Sequence, residues 1–133
     1  MSDRFAIVTP PELGPPRGFA HGILAPSGGR TLFVAGQIGI DAETTRDDFV
    51  AQFDRALARV RVVVAAAGGR AEDIARITIY VTSMERYRES RTALRDVWQH
   101  HMGSHYPAMA LVAVTALVDP SALVEIEATA VLA

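Results

Sequence analysis

Cysteine is missing from all 133 residues. Disulfides, thiolate nucleophiles and thiolate metal sites are excluded with it. Lysine is missing too, so all 13 basic residues are arginine. Schiff-base catalysis, lysine-bound pyridoxal phosphate and the P-loop all need that amine and fall away. The net charge is −2 and the pI about 6.0, so there is no basic footprint for nucleic acid. Like-charge runs and low-complexity segments are absent. The N-terminus, MSDRFAIVTPPELGPPRG, lacks the uninterrupted apolar stretch of a secretory signal. The most apolar stretches, such as that near residues 60–67, fall far short of the roughly 20 residues that span a bilayer. A cytoplasmic protein with no membrane or nucleic-acid partner is expected.

What is present suits one domain over residues 1–133, half of it apolar. Residues 4–8 form a short extended candidate. Pro10, Pro11, Pro15 and Pro16 then stiffen a loop, because proline fixes φ and cannot donate to a ladder. Residues 19–24 and 31–35 read as two strands of a hairpin, with Pro26, Gly28 and Gly29 in its turn. Thr44 or Thr45 is expected to cap a helix with Asp47 and Asp48 in its first turn. Phe49, Phe53, Leu57, Val60 and Val64 make its apolar stripe, Arg55 and Arg59 lie off that stripe, and Gly68–Gly69 ends it. Residues 74–81 are a β-branched strand. Ser83 begins a second helix that buries Met84, Tyr87, Leu94, Val97, Trp98 and His101, and Gly103 ends it. Residues 108–117 and 123–132 read as a closing hairpin. The expected fold is α+β, a mixed sheet with two helices on one face.

The last strand alternates. Val124, Ile126, Ala128 and Ala130 suit a face under helices. Glu125, Glu127 and Thr129 point the other way, with the two carboxylates roughly 7 Å apart. Because VAGQIG (34–39) and MALVAV (109–114) are apolar on both faces, the uncovered face wants a second cover. A further copy of the chain is the simplest one, which predicts a cyclic oligomer with clefts between subunits.

Five segments in this order resemble the Rid/YjgF (reactive-intermediate deaminase) family, a group also labelled L-PSP endoribonucleases: RGFAHG (17–22), LFVAGQIG (32–39), AAAGGRAEDIARITIYVT (65–82), YPAMALV (106–112) and VEIEATAV (124–131). The resemblance implies a chorismate-mutase-like fold, a homotrimer and active sites at intersubunit clefts. It implies hydrolysis of enamines or imines, such as 2-aminoacrylate, to a keto acid and ammonia without metal or cofactor. It also implies a carboxylate-clamping arginine and a glutamate that handles water. The glutamate falls on Glu125. The arginine position, directly after Pro107–Ala108, holds Met109, and the usual tyrosine after a glycine is Phe19.

Arginine gives a bidentate, charged grip on a carboxylate, and methionine gives none. Loss of the clamp costs about 3 kcal/mol or more in a desolvated site, so turnover of 2-aminoacrylate itself is not expected. The candidate site is therefore Glu125 as acid/base, with Phe19, His21, Gly36, Gln37, Met109, Ala110 and Leu111 contacting a small-molecule ligand.

Each residue has a blander reading. Glu125 is otherwise an interface acid, Met109 and Phe19 plain core, and Gly36–Gln37 a glycine bulge. His21 is a proton carrier or a surface residue, and Arg17 a substitute clamp or a solvated loop arginine. His100, His101 and His105 lack a convincing ligand pattern and read as residues favouring a helix C-terminus. A trimer that binds a metabolite without catalysis is the alternative function.

Overall fold

The computed structural model describes residues 4–41 and 46–133. Two strands, β1 (Ala6–Val8) and β2 (Gly22–Leu24), pair antiparallel as a small ribbon. The main sheet holds β3 (Arg30–Ile38), β4 (Ile74–Val81), β5 (Ala108–Ala113) and β6 (Val124–Leu132) in the order β3-β6-β4-β5. β6 is antiparallel to both its neighbours, and β4 and β5 run parallel. Helices α1 (Phe49–Ala66), α2 (Met84–Glu89) and α3 (Arg91–Met102) complete the fold.

The core lies between helices and sheet. Leu57, Val60 and Val64 of α1 meet Ile77, Ile79, Val124, Ile126 and Ala130, all at or within one per cent of full burial. The 3.6-residue stripe of α1 and the two-residue alternation of β6 thus face each other, as their patterns predict. The opposite sheet face is bare within one chain: Phe33 is 79% exposed there.

Three expectations are corrected. First, residues 19–24 and 31–35 are no hairpin, since β2 pairs with β1 while β3 pairs with β6. The glycine turn instead packs on the end of β6, where a Cβ on Gly29 would stand 2.6 Å from Val131 Cγ1. Second, β5 and β6 are not neighbours. The helical crossover lays β5 parallel on the outside of β4, which leaves the inner edge of β4 for β6. Third, the second helix is two helices, broken at Ser90 (φ −100°, ψ 4°). Ser83 does cap the first of them, accepting from Arg86 N–H. For α1 the cap is Asp48, whose carboxylate accepts from Ala51 N–H. Thr44 and Thr45 lie outside the described residues.

Two polar devices fix the loops around the sheet. Arg59 donates to the carbonyls of Ile38 (2.7 Å) and Ile40 (3.1 Å), holding the end of β3 on α1. Gln52 is fully buried. Its amide donates to Ser121 O (3.2 Å) and accepts from Leu123 N–H (2.7 Å), tying the return loop to α1 just before β6.

Candidate active site

The residues picked from the sequence fall into two groups. The first lies on the bare sheet face. The register of β3 against β6 slips between Val34 and Gln37, so Ala35–Gly36 is a bulge. Glu125, opposite Ile38, lays its side chain over this bulge. A Cβ on Gly36 would come within 2.1 Å of Glu125 Oε2 and 2.7 Å of its Cδ. Gly36 is therefore both a bulge glycine and the floor on which the carboxylate rests. The Gln37 amide donates back to Ala35 O at 3.1 Å, which spends its donor locally.

Glu125 is half-buried, and no hydrogen bond or ion pair holds it among the described residues. Glu127 is different: it accepts from the Tyr80 hydroxyl at 3.1 Å. That hydrogen bond raises the Tyr80 pKa above its ordinary value. Partial burial and the charges of Glu127 and Glu125 add to the rise, and Arg76 opposes it. Glu127 is thus occupied in a structural pairing with β4.

The second group lines a cleft of about 720 Å³ along the free edge of β5. Phe19, Met109, Ala110 and Leu111 are in its wall. Phe19 arrives there because Ala20 bridges Ala108 in parallel, with Ala20 N–H donating to Pro107 O at 3.0 Å. Gly18, at φ +76°, makes the turn into that bridge. His21 stands edge-on to Phe19 at 5.2 Å, as expected for residues two apart on one side. Its Nε2 is tied to Gly14 O at 3.1 Å, and it does not line the cleft.

Within one chain Glu125 does not meet the cleft side chains under the helices, although Ala110, paired with Thr78, lies on the sheet face of Glu125. Met109 shares register with Ile77 and Leu111 with Ile79, both under the helices. Glu125 shares register with Tyr80, two strands away and on the opposite face. Strand spacing alone separates them by roughly 10 Å.

The sequence reading missed the cleft's other wall. Arg91 and Arg95 of α3 line it with Tyr87, Trp98 and Tyr106, and Arg17, named from the sequence as a possible substitute clamp, lines it too. Tyr87 and Trp98 were expected as core, yet each also faces the cleft. No local pattern marks these arginines, because the break at Ser90 that puts Arg91 in a first helical turn is not legible in the sequence. The histidines serve structure. His101 bonds Asp54 of α1, and His105, beyond the helix end, bonds Ile74 O at 2.7 Å.

A mixed sheet with helices on one face, an acid over a bulge and a cleft on the edge strand define a recognisable class. Residues 13–132 match the family described as Endoribonuclease L-PSP, and the chain belongs to this Rid/YjgF family. A RutC family protein of Pyrococcus abyssi is 30% identical over 77% of this chain and 79% of its own length. A 2-iminobutanoate/2-iminopropanoate deaminase of Dermatophagoides farinae is 28% identical over 78% of this chain and 80% of its own. Among solved structures, the conserved Rid-family protein YyfB of Yersinia pestis, of unknown function, superposes with a TM-score of 0.83. It is 30% identical and covers 97% of this chain and 99% of its own. Among the described residues, no helix is long and apolar enough to cross a membrane.

Proposed function

We propose that the chain is an imine or enamine hydrolase that works as a homotrimer, its sites completed between subunits. The carrying observation is the placement of Glu125. It is a half-buried carboxylate without a partner among the described residues, resting on a glycine that leaves room for it. Such a group is free to exchange protons, unlike Glu127, which is occupied by Tyr80. A second copy of the chain is needed because one chain holds its acid and the cleft side chains under the helices on opposite sheet faces. The bare face and the edge cleft are then two halves of one site.

In this mechanism Glu125 accepts a proton from water as the water oxygen bonds to the imine carbon. The nitrogen takes up a proton from solvent, giving a carbinolamine. Glu125 returns its proton to the nitrogen as the C–N bond breaks, the hydroxyl proton is released, and ketone and ammonia leave. Only proton transfers and water addition are needed, so no cofactor enters the balance. The relative whose name specifies 2-iminobutanoate and 2-iminopropanoate supports the reaction class. Met109 at the cleft wall supports a different substrate.

The test is ammonia release from imines generated in place by an amino-acid oxidase. Glu125→Gln is expected to lower turnover by at least about a hundredfold, as loss of a general acid–base does, with unchanged thermal unfolding. Undiminished turnover would reject the mechanism. Met109 and Phe19, both apolar at the cleft, favour one further reading, a trimer that binds its ligand without converting it. It predicts ligand binding by Glu125→Gln and no turnover by either protein.

A further inference from the structure

We infer that the β5-edge cleft takes an aromatic or similarly bulky carboxylate, and that Arg17, Arg91 and Arg95 supply the anion contact Met109 lacks. The inference rests on the hydrolase reading for what becomes of the ligand. Its binding half stands separately.

The first ground is charge. Three guanidiniums line the cleft and no carboxylate does. Arg17 and Arg95 have no hydrogen-bond or ion-pair partner among the described residues, and Arg91 is held only by the Tyr87 ring, 5.9 Å from its centroid. Arg91 and Arg95 are four apart on α3, a spacing at which like charges repel. Arg91 also occupies the first turn, where a cation opposes the helix dipole and no acid offsets it. Helix stability alone selects against this arrangement. A bound anion removes both conflicts, and the planar fork of arginine suits a carboxylate.

The second ground is shape. Trp98 and Tyr106 both line the cleft, their rings near-parallel at 5° with centroids 5.8 Å apart. Phe19 and Met109 add apolar surface. About 720 Å³ is room for a drug-sized ligand, far more than a three-carbon imine fills. An aromatic and apolar lining beside a cationic one matches a molecule with a ring at one end and a carboxylate at the other.

The experiment is calorimetric titration with phenylpyruvate, with pyruvate lacking the ring, and with benzyl methyl ketone lacking the carboxylate. Phenylpyruvate is expected to bind at least about tenfold more tightly than either, since pyruvate forgoes burial of the ring and the ketone a charge-assisted contact. Arg91→Gln and Arg95→Gln, both at exposed positions, should each weaken phenylpyruvate by about the same factor. Circular dichroism checks their fold, and Arg88→Gln, an exposed α2 arginine outside the cleft, should change nothing. Equal binding of phenylpyruvate and the neutral ketone overturns the inference, and so does an Arg91→Gln/Arg95→Gln double variant that binds like wild type. Arginine-dependent binding without hydrolysis of the phenylalanine imine keeps the inference and sinks the hydrolase reading. Hydrolysis with arginine-independent binding does the reverse.

Discussion

Gly36→Ala tests the geometry of Glu125 without removing its carboxylate. The added methyl carbon would stand 2.1 Å from Glu125 Oε2, whereas ordinary contact begins near 3.4 Å, so that oxygen must retreat by about 1.3 Å. The obstacle is the end of a flexible side chain, so the backbone need not move. Alanine also loses less chain entropy than glycine in a strand. Stability should therefore change by less than about 1 kcal/mol. Turnover should not be spared, since a displacement near 1 Å costs about a hundredfold. Gly39→Ala is the control, because its methyl carbon would sit 1.8 Å from the Gln52 carbonyl oxygen in the backbone of α1. Neither partner can yield, and a loss of about 4 kcal/mol or more is expected. The assay pairs urea unfolding with ammonia release from an imine generated in place. A Gly36→Ala protein with wild-type turnover would show that the resting position of Glu125 does not set the rate.

Two further predictions concern the frame around the site. Gln52→Ala strips the partners from Leu123 N–H and Ser121 O and leaves a cavity. It should lower stability by about 3 kcal/mol, read from urea midpoints, and a loss below about 1 kcal/mol would mean that water replaces the amide. For Tyr80, the raised pKa means the fold favours the neutral phenol. Its contribution to stability is full below the unfolded value near 10 and is lost as pH rises through the folded value. Glu127→Ala removes the main cause, the accepting carboxylate, so absorbance titration at 295 nm should show one of the three tyrosines ionising earlier. Superimposable curves would break the link between the two groups.

Periodic residues told most about the fold. The stripe Phe49–Phe53–Leu57–Val60–Val64 and the alternation of β6 announced which faces are buried, and both pack as written. Strand partners were not legible, because a hairpin and a crossover can share the same local pattern. Nothing near residues 114–123 says that β6 must slot between β3 and β4. For the site, Glu125, Phe19 and Met109 came from motif resemblance, while no motif points to Arg91 or Arg95. Only the placement of α3 beside β5 turns them toward a ligand. The split between the Glu125 group and the Met109 group was equally hidden, since faces follow from register.

The strand order also sets a schedule. β6 comes last along the chain yet lies inside the sheet, flanked by β3 and β4. During synthesis those two strands wait with open hydrogen-bonding edges until residue 132 has left the ribosome. No shorter nascent chain can close the sheet, bury the stripe of α1, or set Glu125 on its glycine. The interval before closure is when unpaired edges invite pairing with other chains. This makes the final nine-residue strand the keystone of folding as well as the carrier of the acid.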